Sequence, residues 1–198
     1  MNNLQKSVAL DVDGVILNIL ACLRLELLKN GYTFYPEKVT DYDFNCDMGC
    51  ERNVVFDYLK NVETFKHRAV YDGVPVAISY LKKKGFDLIG WTSMDVKYTA
   101  LISERVSFMN TFGITCHISP TNVDKSFNAV RDTVAVFEDS PSVIQNLLKN
   151  NYAGTIYLVD HPYNKCVECD GKKVIRVRDL FEGVSILCSD LGGVSNGL

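Results

Sequence analysis

The chain has 198 residues, of which 47% are hydrophobic and 23% charged, and its 21 basic and 24 acidic residues give a formal net charge of −3. A globular chain of this length fits one domain, or one domain with a small insertion, and argues against two full-sized domains. The near-neutral charge, without a block of Lys and Arg, argues against sequence-independent binding of a nucleic-acid polymer, which needs a basic face.

The first residues carry no sign of targeting. Residues 1–6 are polar, and Asn18 interrupts the apolar stretch 15–23. We therefore expect neither a signal peptide nor a membrane span, and we predict a cytoplasmic protein.

Seven cysteines, an odd number, are scattered along the chain and favour reduced thiols over a disulfide framework. The pair Cys166 and Cys169 could join Cys46 and Cys50 around a zinc ion. The spacing of the second pair is a looser match to zinc sites, so free thiols are the preferred interpretation.

The first element in the chain is a short apolar run, residues 7–11, which has the composition of a buried strand and ends abruptly in acidic residues. Two helical stretches follow, residues 17–30 and 50–61, on either side of an aromatic-rich piece at 32–44. No strand is evident between residues 18 and 72.

From residue 74 onward, helical periodicity alternates with short apolar runs. Gly85 and Gly113 stand where two helices should end, and Ser140 with Pro141 marks the start of a third. In chain order the predicted elements are a helix at 74–84, a strand at 86–91, a helix at 98–112, strands at 114–118 and 134–137, a helix at 141–150 and a strand at 155–159.

This alternation predicts an α/β fold with a doubly wound, Rossmann-like parallel sheet. Residues 1–16 and 73–198 would form the α/β core, and residues 17–72 a small helical cap inserted after the first strand. Because ligands of open parallel sheets bind at the carboxyl ends of the strands, we expect this cap to lie over the site like a lid.

Polar groups follow three of the predicted strands at that same edge: Asp11 with Asp13 and Gly14, Thr92 with Ser93, and Glu138 with Asp139. Residues two apart in an extended segment point to the same side, so Asp11 and Asp13 can share one site.

Gathered carboxylates need positive charge nearby, since two like charges about 4 Å apart repel by roughly 4 kcal/mol at an effective dielectric near 20. Mg²⁺ is the natural counter-charge because it prefers oxygen ligands and accepts carboxylates together with a substrate phosphate. Lys125, in a polar segment after the third strand, is a second candidate.

In this order and spacing, Asp11-x-Asp13-Gly14, Thr92, Lys125 and Glu138-Asp139 resemble the haloacid dehalogenase superfamily of phosphohydrolases. Five shorter pieces look more narrowly like its 5'(3')-deoxyribonucleotidase branch. They are residues 10–14, 40–44, 90–93, 137–140 and 159–164.

The resemblance implies a role for each matching residue. Asp11 would be the nucleophile, and Asp13 the general acid and base. Thr92, Ser93 and Lys125 would hold the phosphoryl oxygens.

The same resemblance implies that Mg²⁺ is held by Asp11, by the backbone carbonyl of Asp13, and by Glu138 and Asp139. The nucleotidase branch often carries two aspartates where this chain has Glu138-Asp139. Which of these two residues touches the metal is therefore open.

The aromatic residues of the cap would determine the substrate specificity. Phe44 and Phe65 resemble pocket positions of the family, and Lys66 could meet substrate oxygens, although a solvated surface role is equally open. The first hypothesis is a phosphomonoesterase acting on nucleoside monophosphates. Its alternatives are a sugar phosphate or another small phosphate ester as substrate, or a silent nucleotide-binding relative. The sequence leaves a homodimer open.

Overall fold

The computed structural model describes residues 6–120, 125 and 127–192. Its centre is a six-stranded parallel sheet with the strand order β3-β2-β1-β4-β5-β6. The strands are β1 (Ser7–Asp11), β2 (Asp87–Ser93), β3 (Thr115–Ser119), β4 (Ala135–Glu138), β5 (Thr155–Val159) and β6 (Val174–Val177). The predicted doubly wound α/β fold is confirmed.

Eight α-helices lie in the described residues. They are α1 (Ile19–Lys29), α2 (Arg52–Leu59), α3 (Val62–Lys66), α4 (Val74–Lys83), α5 (Thr99–Thr111), α6 (Phe127–Val130), α7 (Pro141–Lys149) and α8 (Leu180–Gly192). None of the helices in this part of the chain has both the length and the apolar character needed to cross a membrane.

Both faces of the sheet are covered, because successive side chains of a strand point to opposite faces. Val8 and Leu10 of β1 pack in one apolar cluster with α4, α5 and α8, and Ala9 packs in the other with α6 and α7. All three side chains are fully buried. The polar groups that end these strands therefore lie at the sheet edge and not on its faces.

Residues 17–72 leave the sheet directly after β1 and return to it before α4. Their ends are joined by hydrogen bonds from Asn18 N to the Ala69 carbonyl (2.8 Å) and from Tyr71 N to the Ile16 carbonyl (3.3 Å). The segment contains α1, α2 and α3. It has a small apolar cluster of its own, built from Leu20, Leu23, Leu27, Phe34, Val39, Met48 and Val55.

The sixth strand and the last helix were not predicted. β6 is four residues long and includes Arg176, whose guanidinium bonds to Asp160 (2.7 Å) and Asn164 (3.0 Å), so it lacks the apolar run of the other strands. α8 does have an apolar stripe, with Leu180, Val184 and Leu187 buried in the main cluster.

Candidate active site

Three buried carboxylates meet at the carboxyl edge of the sheet. Asp11 is the last residue of β1, Glu138 is the last of the neighbouring strand β4, and Asp139 follows it. One oxygen of each lies within 4.8 Å of an oxygen of the others, and the residues are 4%, 0% and 5% exposed. We call Asp11, Glu138 and Asp139 the acidic cluster.

Lys125 supplies positive charge to this cluster. Its Nζ donates to Asp11 Oδ1 and, at 2.8 Å, to Glu138 Oε2, and it lies 4.6 Å from the centre of the Trp91 ring. Burial alone would lower the pKa of Lys125, but Asp11 and Glu138 outweigh burial and raise that pKa, so the ammonium stays charged. The residues leading to it, 121–124, lie outside the described residues.

One ammonium does not balance three acids. Burial raises the pKa of Asp11 well above its usual range, against the opposing charge of Lys125. Burial and the neighbouring Glu138 likewise raise the pKa of Asp139. Burial disfavours the charged form of these carboxyls, and a hard divalent cation such as Mg²⁺, which prefers oxygen ligands, would offset that cost at Asp11 and Asp139.

The two adjacent acids are used differently. Glu138 Oε1 accepts the backbone N–H groups of Asp139 (3.1 Å) and Ser140 (3.0 Å), while Oε2 accepts from Lys125. Both carboxylate oxygens of Glu138 therefore already accept hydrogen bonds, from its own loop and from Lys125.

Asp139 is fixed by the loop after β5. Tyr163 Oη donates to its Oδ2 at 2.6 Å, and Asn164 Nδ2 donates to its backbone carbonyl at 3.0 Å. His161 Nε2 lies 2.8 Å from the Gly14 carbonyl, which ties the same loop to the turn after β1. The loop thus holds both chain segments that border the acidic cluster.

Gly14 must be glycine for two reasons. Its φ is +89°, which L side chains rarely adopt, and a Cβ there would lie 2.0 Å from Asp139 Oδ2. The turn after Asp13 can therefore approach the acidic cluster only without a side chain.

Asp13, which we expected to share one site with Asp11, has its side chain outside the acidic cluster. It is instead paired with Arg105, whose Nη2 lies 2.7 Å from Asp13 Oδ1. Asp13 stands beyond the end of β1, where the chain turns at Gly14, and the guanidinium gives its carboxylate a separate counter-charge.

The residues proposed to hold phosphate lie at the end of β2. Both Thr92 and Ser93 belong to this strand, which runs two residues further than predicted. Thr92 is 2% exposed, and Ser93 Oγ lies 3.4 Å from the Ser119 carbonyl on β3. Ser93 lines the cavity described next, and Thr92 does not.

A largely apolar cavity of about 390 Å³ adjoins this edge of the sheet. Asp13, Asp139 and Arg105 provide polar groups on its wall. Its aromatic lining is Tyr42, Phe44, Phe56, Phe65, Tyr98 and Tyr163. Residues of 17–72 and of the sheet edge therefore line one common space.

Lys66 is not part of that lining. Its Nζ pairs with Glu63 at 2.6 Å, and its side chain is 56% exposed. The expectation that it meets substrate oxygens is not supported, because the turn of α3 that directs Phe65 inward directs Lys66 to solvent.

Neither protein-family models nor curated protein sequences match the chain. Solved structures do match it. One is a protein from Clostridium acetobutylicum assigned as a phosphatase, at 17% identity and a TM-score of 0.57, covering 94% of this chain and 100% of that one. Another is a haloacid dehalogenase-like hydrolase from Burkholderia xenovorans, at 15% identity and a TM-score of 0.55, covering 94% and 99%. The chain has the haloacid dehalogenase fold.

Two more neighbours bear on the site. A haloacid dehalogenase-type hydrolase from Bacillus subtilis, solved with magnesium bound, has 14% identity and a TM-score of 0.56, covering 92% of this chain and 98% of that one. A Thermotoga maritima protein assigned as a β-phosphoglucomutase has 16% identity and a TM-score of 0.52, covering 93% and 99%. The TM-scores and coverages establish the fold. Identities this low do not transfer an activity, which has to be argued from the residues of the site.

Two residues of the site, Arg105 and Tyr163, were not placed by the sequence analysis. Arg105 lies on the buried side of α5 with Leu101 and Phe108, and its spacing indicates that position but not its partner Asp13. Tyr163 lies in the piece 159–164, to which the sequence assigned no chemical role, and its bond to Asp139 depends on how the loop after β5 folds.

Proposed function

We propose that the protein is a Mg²⁺-dependent phosphomonoesterase that hydrolyses nucleoside monophosphates, most directly 5'(3')-deoxyribonucleotides, through an aspartyl phosphate on Asp11. The observation that carries this proposal is the acidic cluster with Lys125, whose member Asp139 lines an aromatic-lined cavity together with Asp13. The cluster offers a nucleophile and a charged phosphate site, and the cavity offers room for a base.

In the first step, an Asp11 oxygen attacks phosphorus, and the bond from phosphorus to the ester oxygen breaks in line. Asp13 gives its proton to the departing oxygen. In the second step, Asp13 takes a proton from water as that water attacks the aspartyl phosphate, which releases inorganic phosphate and restores Asp11.

Lys125 and the end of β2 would bind the transferred group. The Lys125 ammonium already lies against Asp11, where it can offset the charge that spreads over the phosphoryl oxygens in the transition state. Thr92 and Ser93 offer hydroxyls at the adjoining strand end.

The residues that would hold Mg²⁺ are Asp11, Asp139 and the backbone carbonyl of Asp13. Glu138 would support them from behind, because its oxygens already accept from Lys125 and from two backbone N–H groups. The cation would supply charge neutralisation at the phosphate.

Magnesium binding should depend on pH above the range in which ordinary carboxyl groups titrate. The ligand carboxylates must be deprotonated to bind, and the raised pKa values of Asp11 and Asp139 place that deprotonation above the ordinary carboxyl value of 3.8. We expect the rise in melting temperature caused by Mg²⁺ to be small in acid and to keep growing as the pH rises above the ordinary carboxyl range. Thermal melts with Mg²⁺ and with chelator at each pH measure it. A shift independent of pH, or one unchanged in Asp139→Asn, would contradict these ligands.

Residues 17–72 would act as the cap of this site. They contribute Phe44, Phe56 and Phe65 to the cavity wall, while residues 1–16 and 73–198 would form the phosphatase core. A cover of this kind excludes water from the first step and so limits side reactions of the aspartyl phosphate.

The apolar wall favours a substrate with an aromatic base. Stacking of a base on an aromatic side chain is worth about 1–3 kcal/mol, whereas sugar hydroxyls gain little from such a wall. A sugar phosphate is the second candidate, because one structural neighbour is assigned as a β-phosphoglucomutase. Intact Asp11 and Asp13 speak against a silent nucleotide-binding relative.

A hydrolysis panel tests the proposal. Nucleoside monophosphates, sugar phosphates and glycerol phosphate are offered with Mg²⁺ and then with chelator. The proposal predicts release of inorganic phosphate that is fastest with nucleotides and stops with chelator. Preferred hydrolysis of sugar phosphates would select the second candidate, activity unaffected by chelator would remove the metal assignment, and no turnover would favour a binding protein.

The cavity makes a separate prediction for Phe44. Its ring packs edge-on against Phe56, with ring centres 5.8 Å apart, and lines the cavity. We expect Phe44→Ala to raise the KM for nucleotides about tenfold, within the range of one lost stacking contact, and to leave the KM for glycerol phosphate nearly unchanged. Phe181→Ala, at an exposed aromatic of α8 outside the cavity, is the matched control. Equal effects of Phe44→Ala on both substrates would mean that the cap does not recognise the base.

A further inference from the structure

We propose that Arg105 is a positioning residue for the general acid, and that it fixes the Asp13 carboxyl toward the leaving-group oxygen of the substrate. This inference rests on the proposed phosphatase function and assigns a role to a residue that lies far from Asp13 in the sequence.

The contact between the two residues involves both carboxylate oxygens. Arg105 Nη2 lies 2.7 Å from Asp13 Oδ1, and Arg105 Nε donates to Asp13 Oδ2 at 3.3 Å. One hydrogen bond, from Nε, and one ion-pair contact, from Nη2, come from the same planar guanidinium and restrict the orientation of the carboxyl more than a lysine ammonium would. Oδ1 accepts no hydrogen bond from the described residues and keeps its lone pairs for the proton that the carboxyl transfers.

Arg105 is itself held firmly. It belongs to α5, its side chain is only 2% exposed, and its guanidinium carbon lies 3.6 Å from the centre of the Phe65 ring. Phe65 comes from α3 in the cap segment and is 3% exposed. The guanidinium is therefore set between a ring from the cap and the carboxylate that it orients.

Asp13 needs this support more than the other acids do. Its side chain is 30% exposed at the cavity wall, whereas Asp11 and Glu138 are buried and bound by Lys125. A general acid must stay within hydrogen-bond reach of the oxygen that it protonates, and a displacement of about 1 Å can cost about 10²-fold in rate.

The contact with Arg105 also bears on the expected role of Phe65 in the substrate pocket. One face of this ring is covered by Arg105, so that face is not open to stack on a base. Phe65 then acts on the reaction through Arg105 and Asp13, while Phe44 is the better candidate for direct base contact.

The role predicts a dependence on the leaving group. When an alkyl ester bond breaks, the oxygen takes the Asp13 proton as it leaves. The p-nitrophenolate anion is stable and leaves without that proton. The ratio kcat/KM covers only the steps up to phosphorylation of Asp11, so it isolates this proton transfer from the later attack of water.

The experiment measures kcat/KM of wild type, Arg105→Gln and Arg105→Lys on a nucleoside monophosphate, on glycerol phosphate and on p-nitrophenyl phosphate. We expect Arg105→Gln to lower kcat/KM for the two alkyl esters about tenfold to hundredfold more than for the aryl ester, a part of what general acid catalysis is typically worth. Arg105→Lys should fall in between, because it keeps the charge and loses the planar contact.

Arg68→Gln is the matched control. Arg68 also pairs with a carboxylate at 2.7 Å, Glu104 on α5, but it does not line the cavity, so its loss should affect all three esters alike. Melting temperatures report whether each variant folds, and Phe65→Leu, which removes the ring under the guanidinium, should show the same leaving-group pattern in weaker form.

Three results would overturn the assignment. An equal fall on alkyl and aryl esters in Arg105→Gln and Arg105→Lys would show a purely structural role. A rise in KM for nucleotides with kcat unchanged would make Arg105 a substrate-binding residue. A wild-type protein that hydrolyses none of the three esters would instead refute the proposed function, and the inference with it.

Discussion

We expect replacement of Asp11 by Asn to abolish turnover and to leave the protein folded. The amide cannot form the aspartyl phosphate, and the loss of an attacking nucleophile costs on the order of 10⁴-fold in kcat or more. The fold should tolerate the change, because the amide has the shape of the carboxylate and removes one of the charges that burial disfavours. Steady-state hydrolysis of a nucleoside monophosphate and a thermal melt measure the two effects.

Asp132→Asn is the control for this change. Asp132 has an 89% exposed side chain that pairs with Arg131 on the surface, and it precedes the start of β4, whereas the acidic cluster lies at the end of that strand. It should keep wild-type activity. An Asp11→Asn protein with a rate near that of wild type would remove Asp11 as the nucleophile.

We expect replacement of Lys125 by Met to lower both the activity and the stability of the protein. The phosphoryl oxygens lose the ammonium that would stabilise them, which we expect to lower kcat about 10²- to 10³-fold, as for the loss of one donor to a developing oxyanion. The Asp11 and Glu138 carboxylates also lose their shared partner. Removing one partner of a buried ion pair costs up to about 3–5 kcal/mol, so the free energy of unfolding should fall in chelator and partly recover with Mg²⁺.

Lys66→Gln is the matched control, since Lys66 pairs with Glu63 in solvent and lies outside the cavity. Denaturant unfolding with and without Mg²⁺, together with kcat on a nucleotide, distinguishes the two lysines. A Lys125→Met protein with kcat within tenfold of wild type would exclude a role for this ammonium in the phosphate site.

The sheet and its acidic edge were accessible from the sequence because both depend on local patterns. Fully buried parallel strands are continuous apolar runs, and the residue that follows each run lies at the carboxyl edge of the sheet. Asp11, Glu138 and Asp139 could therefore be placed together before any contact was known. β6 could not, because it is short, and Arg176 interrupts its apolar pattern.

The side-chain pairing of the site was not accessible in the same way. Asp13 and Arg105 are 92 residues apart in the chain, and their contact depends on how α5 packs beside the turn after β1. The inward or outward direction of Phe65 and Lys66 depends on the rotation of the short helix α3, which five residues do not define by periodicity. Patterns locate strand ends, whereas pairings between distant elements require the packed structure.

The most direct measurement of the central claim is to identify the phosphorylated residue during turnover. The enzyme is mixed with Mg²⁺ and a nucleoside monophosphate, quenched in acid within the first turnovers, reduced with borohydride to trap acyl phosphates, and digested for mass spectrometry. The proposed mechanism predicts that the trapped modification lies on Asp11 and is absent from the Asp11→Asn protein. Turnover with no trapped modification, or with the modification on another residue, would contradict it.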